Sequence, residues 1–256
     1  STDALRNIAI SAGFAGTGAV AVGAAVSVLN TTTEAFIGNS ARINTNTPTA
    51  DAAQSVKVAA ASDFYHLGIA AALAIAGTGS GAPGVDIAAI TSRTLAHVDS
   101  SADVRAKQDV AVTATAEQDV VMVGIGIAIG GTVGIGGAVT VFDYDGRTHA
   151  SIGESATVKA GGNVLVAASD VTDVDLVAGS VGLGFSAVGF AGSVGIGVLD
   201  KDTQAVIGKN AAVDALGNGG TSLTVFSGDG SDLFATELAT GVSVLAHSKE
   251  SLLSVG

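Results

Sequence analysis

The chain has no cysteine, no tryptophan, one methionine and two prolines, and aromatic residues fill only 4% of its 256 positions. Without cysteine there is no disulfide, no Cys-ligated zinc and no thiol catalysis. Scarce proline, with no glycine at every third position, excludes a collagen-like helix. Basic residues are few as well: 11 Lys and Arg stand against 23 Asp and Glu, a net charge of −12. That balance lacks the clustered cations that displace counterions from nucleic acid, and it disfavours docking on anionic lipid. Absence of Trp also removes the aromatic girdles of a membrane β-barrel, and the strands described below have no polar face to line a channel, so no membrane insertion is expected. Ser1-Thr2-Asp3 opens without a basic segment, so no signal peptide is visible. The chain begins and ends inside a repeat, and the expectation is a piece of a longer polypeptide.

What is abundant is small and apolar. Hydrophobic residues make up 48% of the chain and there are 36 glycines, well above the roughly 7% usual for globular proteins. They fall in a module, Thr-x-Ala-x-[Ile/Val]-[Gly/Asp]-x-[Ser/Asn]-Ala-x-[Val/Ile], that occurs four times. The copies start at Thr33, Thr94, Thr148 and Thr203, at spacings of 61, 54 and 55 residues. A fixed period of this size means that each unit buries its apolar face against its neighbours. The whole chain, 1–256, therefore reads as one continuous array, with units at roughly 7–63, 64–118, 119–173 and 174–232 and a partial unit at 233–256.

Within a unit the pattern alternates with period two. Val123, Ile125, Ile127 and Ile129 share one face, and Gly124, Gly126, Ala128 and Gly130 share the other. Gly130-Gly131-Thr132 marks a turn, after which alternation resumes at Val133. Polar segments (Asn30-Thr31-Thr32, Asp143-Tyr144-Asp145-Gly146, Asp200-Lys201-Asp202) are expected to form turns ahead of the Thr-x-Ala-x-Ile strand. A short Ala-x-Val segment follows. The unit then closes on Val56-x-Val58, Val110-x-Val112, Val164-x-Val166 or Leu223-x-Val225. The corner before that closing strand spans 13, 6, 6 and 10 positions in the four copies, so it is expected on the surface, where a binding face can form.

No helical period is present, and the expected class is all-β. Runs of glycine inside strands ask for close approach of another backbone. A β-solenoid, with the small-residue face inside a thin core, is the expected architecture; a stacked β-sandwich or meander built from ~55-residue repeats is the alternative. In the second copy, Ala82-Pro83-Gly84 and Asp99 depart from the pattern, and a kink or an edge is expected there.

Candidate chemistry is thin, and no enzyme is expected. Of the four histidines (His66, His97, His149, His247), His97 and His149 share a face at different levels, with no third ligand recurring beside them. Gly13-x-x-Gly16-x-Gly18 continues a strand and opens no helix, unlike a dinucleotide loop. The alternating Thr45, Thr47 and Thr49 form a row as on an ice-binding face, but no other copy repeats it. The expected metal candidates are paired carboxylates, Asp143 with Asp145, Asp200 with Asp202, and Asp229 with Asp232. Hard oxygen ligands of this kind suit calcium. No other cofactor is expected.

Long Gly/Ala-alternating strands, Thr-x-Ala-x-Ile-Gly and Val-x-Val-x-Ala together resemble the repeat regions of very large bacterial surface proteins, the filamentous-haemagglutinin-like and leukotoxin-type filamentous adhesins. The resemblance runs from about Asn7 to Phe234. It implies a secreted, extracellular, cell-surface β-solenoid segment, non-catalytic, that acts as a stalk and displays loops for adhesion, biofilm or cell-cell contact. Its partners would be neighbouring repeats, identical chains, or a receptor or glycan on a cell surface. Two alternatives stand beside it: a self-assembling extracellular fibre subunit, and a polysaccharide-binding solenoid using Tyr65 or Tyr144, against which the aromatic poverty of the chain argues.

Overall fold

The computed structural model describes residues 1–45, 49–218, 222–227 and 235–256. The chain is all-β, with parallel strands in stacked sheets that form a β-solenoid-like repeat. Sixteen strands follow in order: β1 (Thr2–Ala15), β2 (Gly18–Val20), β3 (Gly23–Ile37), β4 (Arg42–Ile43), β5 (Val56–Ala76), β6 (Gly79–Val98), β7 (Asp103–Ala106), β8 (Val110–Gly130), β9 (Val133–Ile152), β10 (Thr157–Ala160), β11 (Val164–Gly184), β12 (Val188–Ile207), β13 (Ala212–Ala215), β14 (Leu223–Phe226), β15 (Thr236–Ala239) and β16 (Val242–Val255). One broad sheet runs β1-β5-β8-β11-β16, and a second runs β12-β9-β6 with β2 and β3 on its edge. A narrow third sheet, β13-β10-β7-β4, closes one side.

Each coil thus travels out along a strand of 21 residues, turns at its tip, returns along one of 20 and crosses a short strand of 4. The next coil repeats the path 54 residues on, Val56 beside Val110 beside Val164. At ~3.3 Å per residue a broad strand is roughly 70 Å long, whereas each coil adds only ~4.8 Å along the stack. The result is a flat blade with a thick base, where the narrow sheet sits, and a thin tip.

Side-chain size explains that taper. At the base, Val, Ile and Ala from all three sheets fill one cluster that includes Val58, Val104, Val112, Val158 and Val166. Midway the core is larger-grained, with Phe64, Met122, Phe142, Tyr144 and Leu176. At the tip its apolar side chains are alanines, Ala72, Ala74, Ala82 and Ala128 among them, set between inward glycines such as Gly126 and Gly136. The small-residue face is therefore the inner one, as the alternation implied, and the Val and Ile face looks outwards.

The module's conserved-looking letters now have causes. Its threonines form an inward ladder, Thr33, Thr94, Thr148 and Thr203. Its Ala and Ile/Val follow two and four residues later in the same inward row. The [Ser/Asn] letter is the corner residue, with positive φ at Ser40 (58°), Ser101 (60°), Ser155 (56°) and Asn210 (58°). Left-handed backbone at one position per coil turns the chain from the second broad sheet into the narrow one. At the opposite corner Asp109 N–H donates to Ser55 Oγ (3.3 Å), Asn163 N–H to Asp109 Oδ1 (2.7 Å) and Gly241 N–H to Asn163 Oδ1 (2.8 Å). This ladder pins the register.

Three expectations are corrected. The polar tripeptides are not turns: Asn30–Thr32, Asp143–Asp145 and Asp200–Asp202 lie inside β3, β9 and β12, because every second residue still faces the core. The closing Val-x-Val strand and the Gly/Ala stretch after it are one uninterrupted strand, as in β8. The fourth closing strand is also not Leu223-x-Val225, which pairs antiparallel with β15 in a two-stranded hairpin. Val242 takes its place beside Val164, since β16 runs long enough to follow β11 for fourteen residues. The hairpin of β14 and β15 thereby falls in an insertion between β13 and β16. Antiparallel pairing of the meander kind occurs only in that hairpin among the described residues. At Pro83 strand β6 continues unbroken beside β9, and the interruption falls on its neighbour, between β2 and β3, where a proline cannot donate.

Candidate functional site

The variable corner and the narrow sheet build a concave surface. A groove of about 880 Å³ runs over β7, β10 and β13, between Asn44, Gln54, Arg105, Lys107, Lys159 and Leu216. Its floor is set by register: Arg105 lies beside Lys159, and Lys159 beside Asp214. Arg105 forks onto Asp103 (2.9 and 3.0 Å), and this hydrogen bond first, then the charges of Arg105, Arg42 and Lys159, hold the Asp103 carboxyl below its usual range despite partial burial. Lys159 reaches Asp214 at 3.8 Å. Asn44 donates to the carbonyl of Arg105 at 3.1 Å, which ties the first-copy insertion to the groove. The surface is open and mixed, with charged Arg105, Lys107, Lys159 and Asp214 beside apolar Ala106, Ala160 and Leu216. It can hydrogen-bond a flat partner through Asn44, Gln54, Arg105 and Lys159.

The carboxylates singled out as calcium candidates stand elsewhere. Asp143 and Asp145 project from the outer face of β9, and Asp200 and Asp202 from the outer face of β12. Asp145 neighbours Asp200, whereas Asp202 neighbours Arg147. Asp202 is engaged by His149 at 2.9 Å and by the Gln204 amide at 2.6 Å. Partial burial pushes its carboxyl up, but these two donors outweigh that and hold it below the usual range. Asp229 and Asp232 lie outside the described residues, as does Thr47 of the threonine row. Among the described residues no group of three or more His, Asp or Glu is placed to hold a metal ion. His97 sits diagonally from His149 and pairs with Asp99 (3.3 Å) and Glu34 (3.7 Å). Tyr144 is buried, so of the two tyrosines only Tyr65 reaches the surface.

Sequence reasoning missed a polar cluster inside the blade. Lys201 Nζ lies 2.7 Å from Asp170 and 2.9 Å from Glu250, and the Lys201 and Asp170 side chains are 7% and 1% exposed. Thr148 donates to Asp170 Oδ2 at 2.7 Å, and Thr172 to Oδ1 at 3.2 Å. With its amide nitrogen turned into this network, Gln118 donates to Thr172 (2.9 Å), Asp170 (3.3 Å) and Tyr144 Oη (3.2 Å). Burial, reinforced by the Asp170 charge, pushes the Tyr144 phenol up. The cluster lies between the sheets at the end of the stack formed by β12 and β16, where Glu250 is 45% exposed. The signal in the sequence was parity: Asp170 and Thr172 occupy the inward row that Val164, Val166 and Ala168 begin.

A second buried acid is isolated. Asp86 is 0% exposed on the inward row of β6, and its oxygens meet the Ile87 and Val123 backbone without a side-chain partner among the described residues. Gly68 in the facing sheet vacates the space it needs, since a Cβ there would stand 2.2 Å from Asp86 Oδ2. Burial pushes the Asp86 carboxyl up to about 6, against a smaller opposing pull from the Ile87 and Val123 backbone. The folded state therefore holds this proton more tightly than the unfolded chain. Stability from Asp86 is full below the ordinary carboxylate pKa and is lost as pH rises towards about 6. Asp86→Asn is expected to abolish that slope and to stabilise the protein at pH 7.5 by about 2 kcal/mol. Urea midpoints of both proteins across this pH range test it. The difference between the two curves is the readout, because buried His66, lowered by burial against a hydrogen bond it donates to the Leu5 backbone, adds an opposite slope to each.

The chain matches no family model, no curated protein and no solved structure.

Proposed function

We propose that the chain is a non-catalytic structural and adhesive segment of a secreted bacterial cell-surface protein. The observation that carries this reading is the in-register parallel stack, in which continuous backbone ladders tie every coil to the next. Such a stack is stiff, and its variable corners, 44–55 and 216–241, can change length without disturbing the ladders. The groove lined by Asn44, Gln54, Arg105, Lys159 and Leu216 supplies charged and hydrogen-bonding groups that would meet a receptor or a glycan. With 54 residues giving ~4.8 Å of rise, the segment makes a broad wall more readily than a long reach. A second reading, an extracellular fibre subunit, draws on the unpaired outer ladders of β1 and β12.

Negative-stain electron microscopy of the purified chain over a concentration series, with and without calcium, tests both. Uniform plates about as wide as the strands are long are expected for a wall segment. Ribbons of that width growing with concentration would favour the fibre. Compact spheres would overturn both readings.

A further inference from the structure

The outer face of the first broad sheet carries an apolar grid over its tip half. The registers align Ile8, Ile69, Val123 and Val177 in its first row. Phe14, Ile75, Ile129 and Leu183 form the last row, at the tip. The two rows between add only Ile, Leu, Val, Ala and one Gly, so no side chain in the grid has a polar atom. Several members are largely solvent-exposed, Ile10 at 75%, Phe14 at 68% and Ile8 at 55%. The outer face of the second broad sheet is apolar over its tip half as well, with Val26, Ile87, Val141 and Ile196 in one row, but Gly81, Pro83, Gly137 and Gly192 leave two of its rows short of large side chains.

We propose that this grid is a docking surface for a second copy of the same chain, packed sheet against sheet with the strands of the two copies running in opposite directions. Area is the first reason. The grid exposes on the order of 700 Å² of apolar surface, more than the few hundred Å² usual on a monomer and close to the ~800 Å² each partner gives a stable interface. Charge sets the direction. Immediately baseward of the grid stand Asp119, Asp173 and Asp175. Partial burial first, then the charges of Asp173 and Asp175, push the Asp119 carboxyl up. Copies aligned base to base would bring two such clusters face to face, whereas reversed copies overlap their apolar halves and carry the acids to opposite ends. Lipid is the weaker occupant, because a net charge of −12 and the acids bordering the grid disfavour docking on anionic lipid.

Sedimentation velocity of the chain from micromolar to hundreds of micromolar is expected to show a monomer–dimer equilibrium. Ile125→Lys with Ile127→Lys is expected to raise the dissociation constant at least tenfold with the circular dichroism spectrum unchanged. Val141→Lys, on the outer face of the second broad sheet, is expected to leave it unaltered. Should the double variant unfold, Ile10→Lys on the edge strand carries the same test. Because the chain lacks cysteine, Ile127→Cys provides a single thiol, which a short bismaleimide is expected to couple into dimers. A chain that stays monomeric, association indifferent to the lysines, or flotation with phosphatidylcholine vesicles that the lysines abolish would each overturn the proposal.

Discussion

Gly126→Val is expected to lower stability by about 3 kcal/mol or more, at the upper end of what overpacking costs. A Cβ at Gly126 would stand 2.0 Å from the Gly137 carbonyl oxygen and 2.3 Å from that of Ala82. Both oxygens belong to the facing broad sheet. They are held in their own ladders, so neither can swing aside as a flexible side chain would. To admit the valine, the sheets must part over the whole tip, where the core is alanine and glycine. Gly137→Val is the matched control. It sits in the facing strand but looks outwards, and its added Cβ would meet only Gly192 O at 3.9 Å. Chemical denaturation of both variants gives the comparison. Equal midpoints would mean that the two sheets do not touch at the tip.

Lys201→Met should cost about 3–5 kcal/mol, the penalty for removing one member of a buried ion pair. Lys201 is the cation that faces Asp170, and after its removal Asp170 keeps donors from Thr148, Thr172 and Gln118 but loses the opposing charge. Glu250, nearly half exposed, can turn to water instead. Asp170 cannot, and it is the source of the loss. Adding Asp170→Asn to Lys201→Met is therefore expected to recover most of the stability, in a double-mutant cycle read by urea midpoint. A single-variant loss under about 1 kcal/mol would show that water reaches the pair.

The two sites differ in how far the sequence disclosed them. Gly126 was legible, because a strand that alternates Ile with Gly over many residues has one face that only a neighbouring backbone can fill. The Lys201 cluster was not. Its members come from β8, β9, β11, β12 and β16, and only the registers bring Gln118 beside Thr172 and Thr148 across from Asp170. The polar tripeptides misled for a related reason. Asp-x-Asp with glycine is ordinary turn chemistry locally, yet in Asp143-Tyr144-Asp145-Gly146 the inward Tyr144 anchors the strand and the aspartates face solvent.

By itself the sequence determined strand as the element, 54–61 residues as the repeat and the Gly/Ala face as the inner one. Period-two alternation and unit spacing are local properties that need no partner to be read. Tertiary structure alone decided which Val-x-Val strand closes the fourth coil and how the acids distribute between solvent and core. Those depend on register between coils. Hydrogen-bond ladders and corner contacts between residues tens of positions apart set that register, and no window along the chain contains both partners.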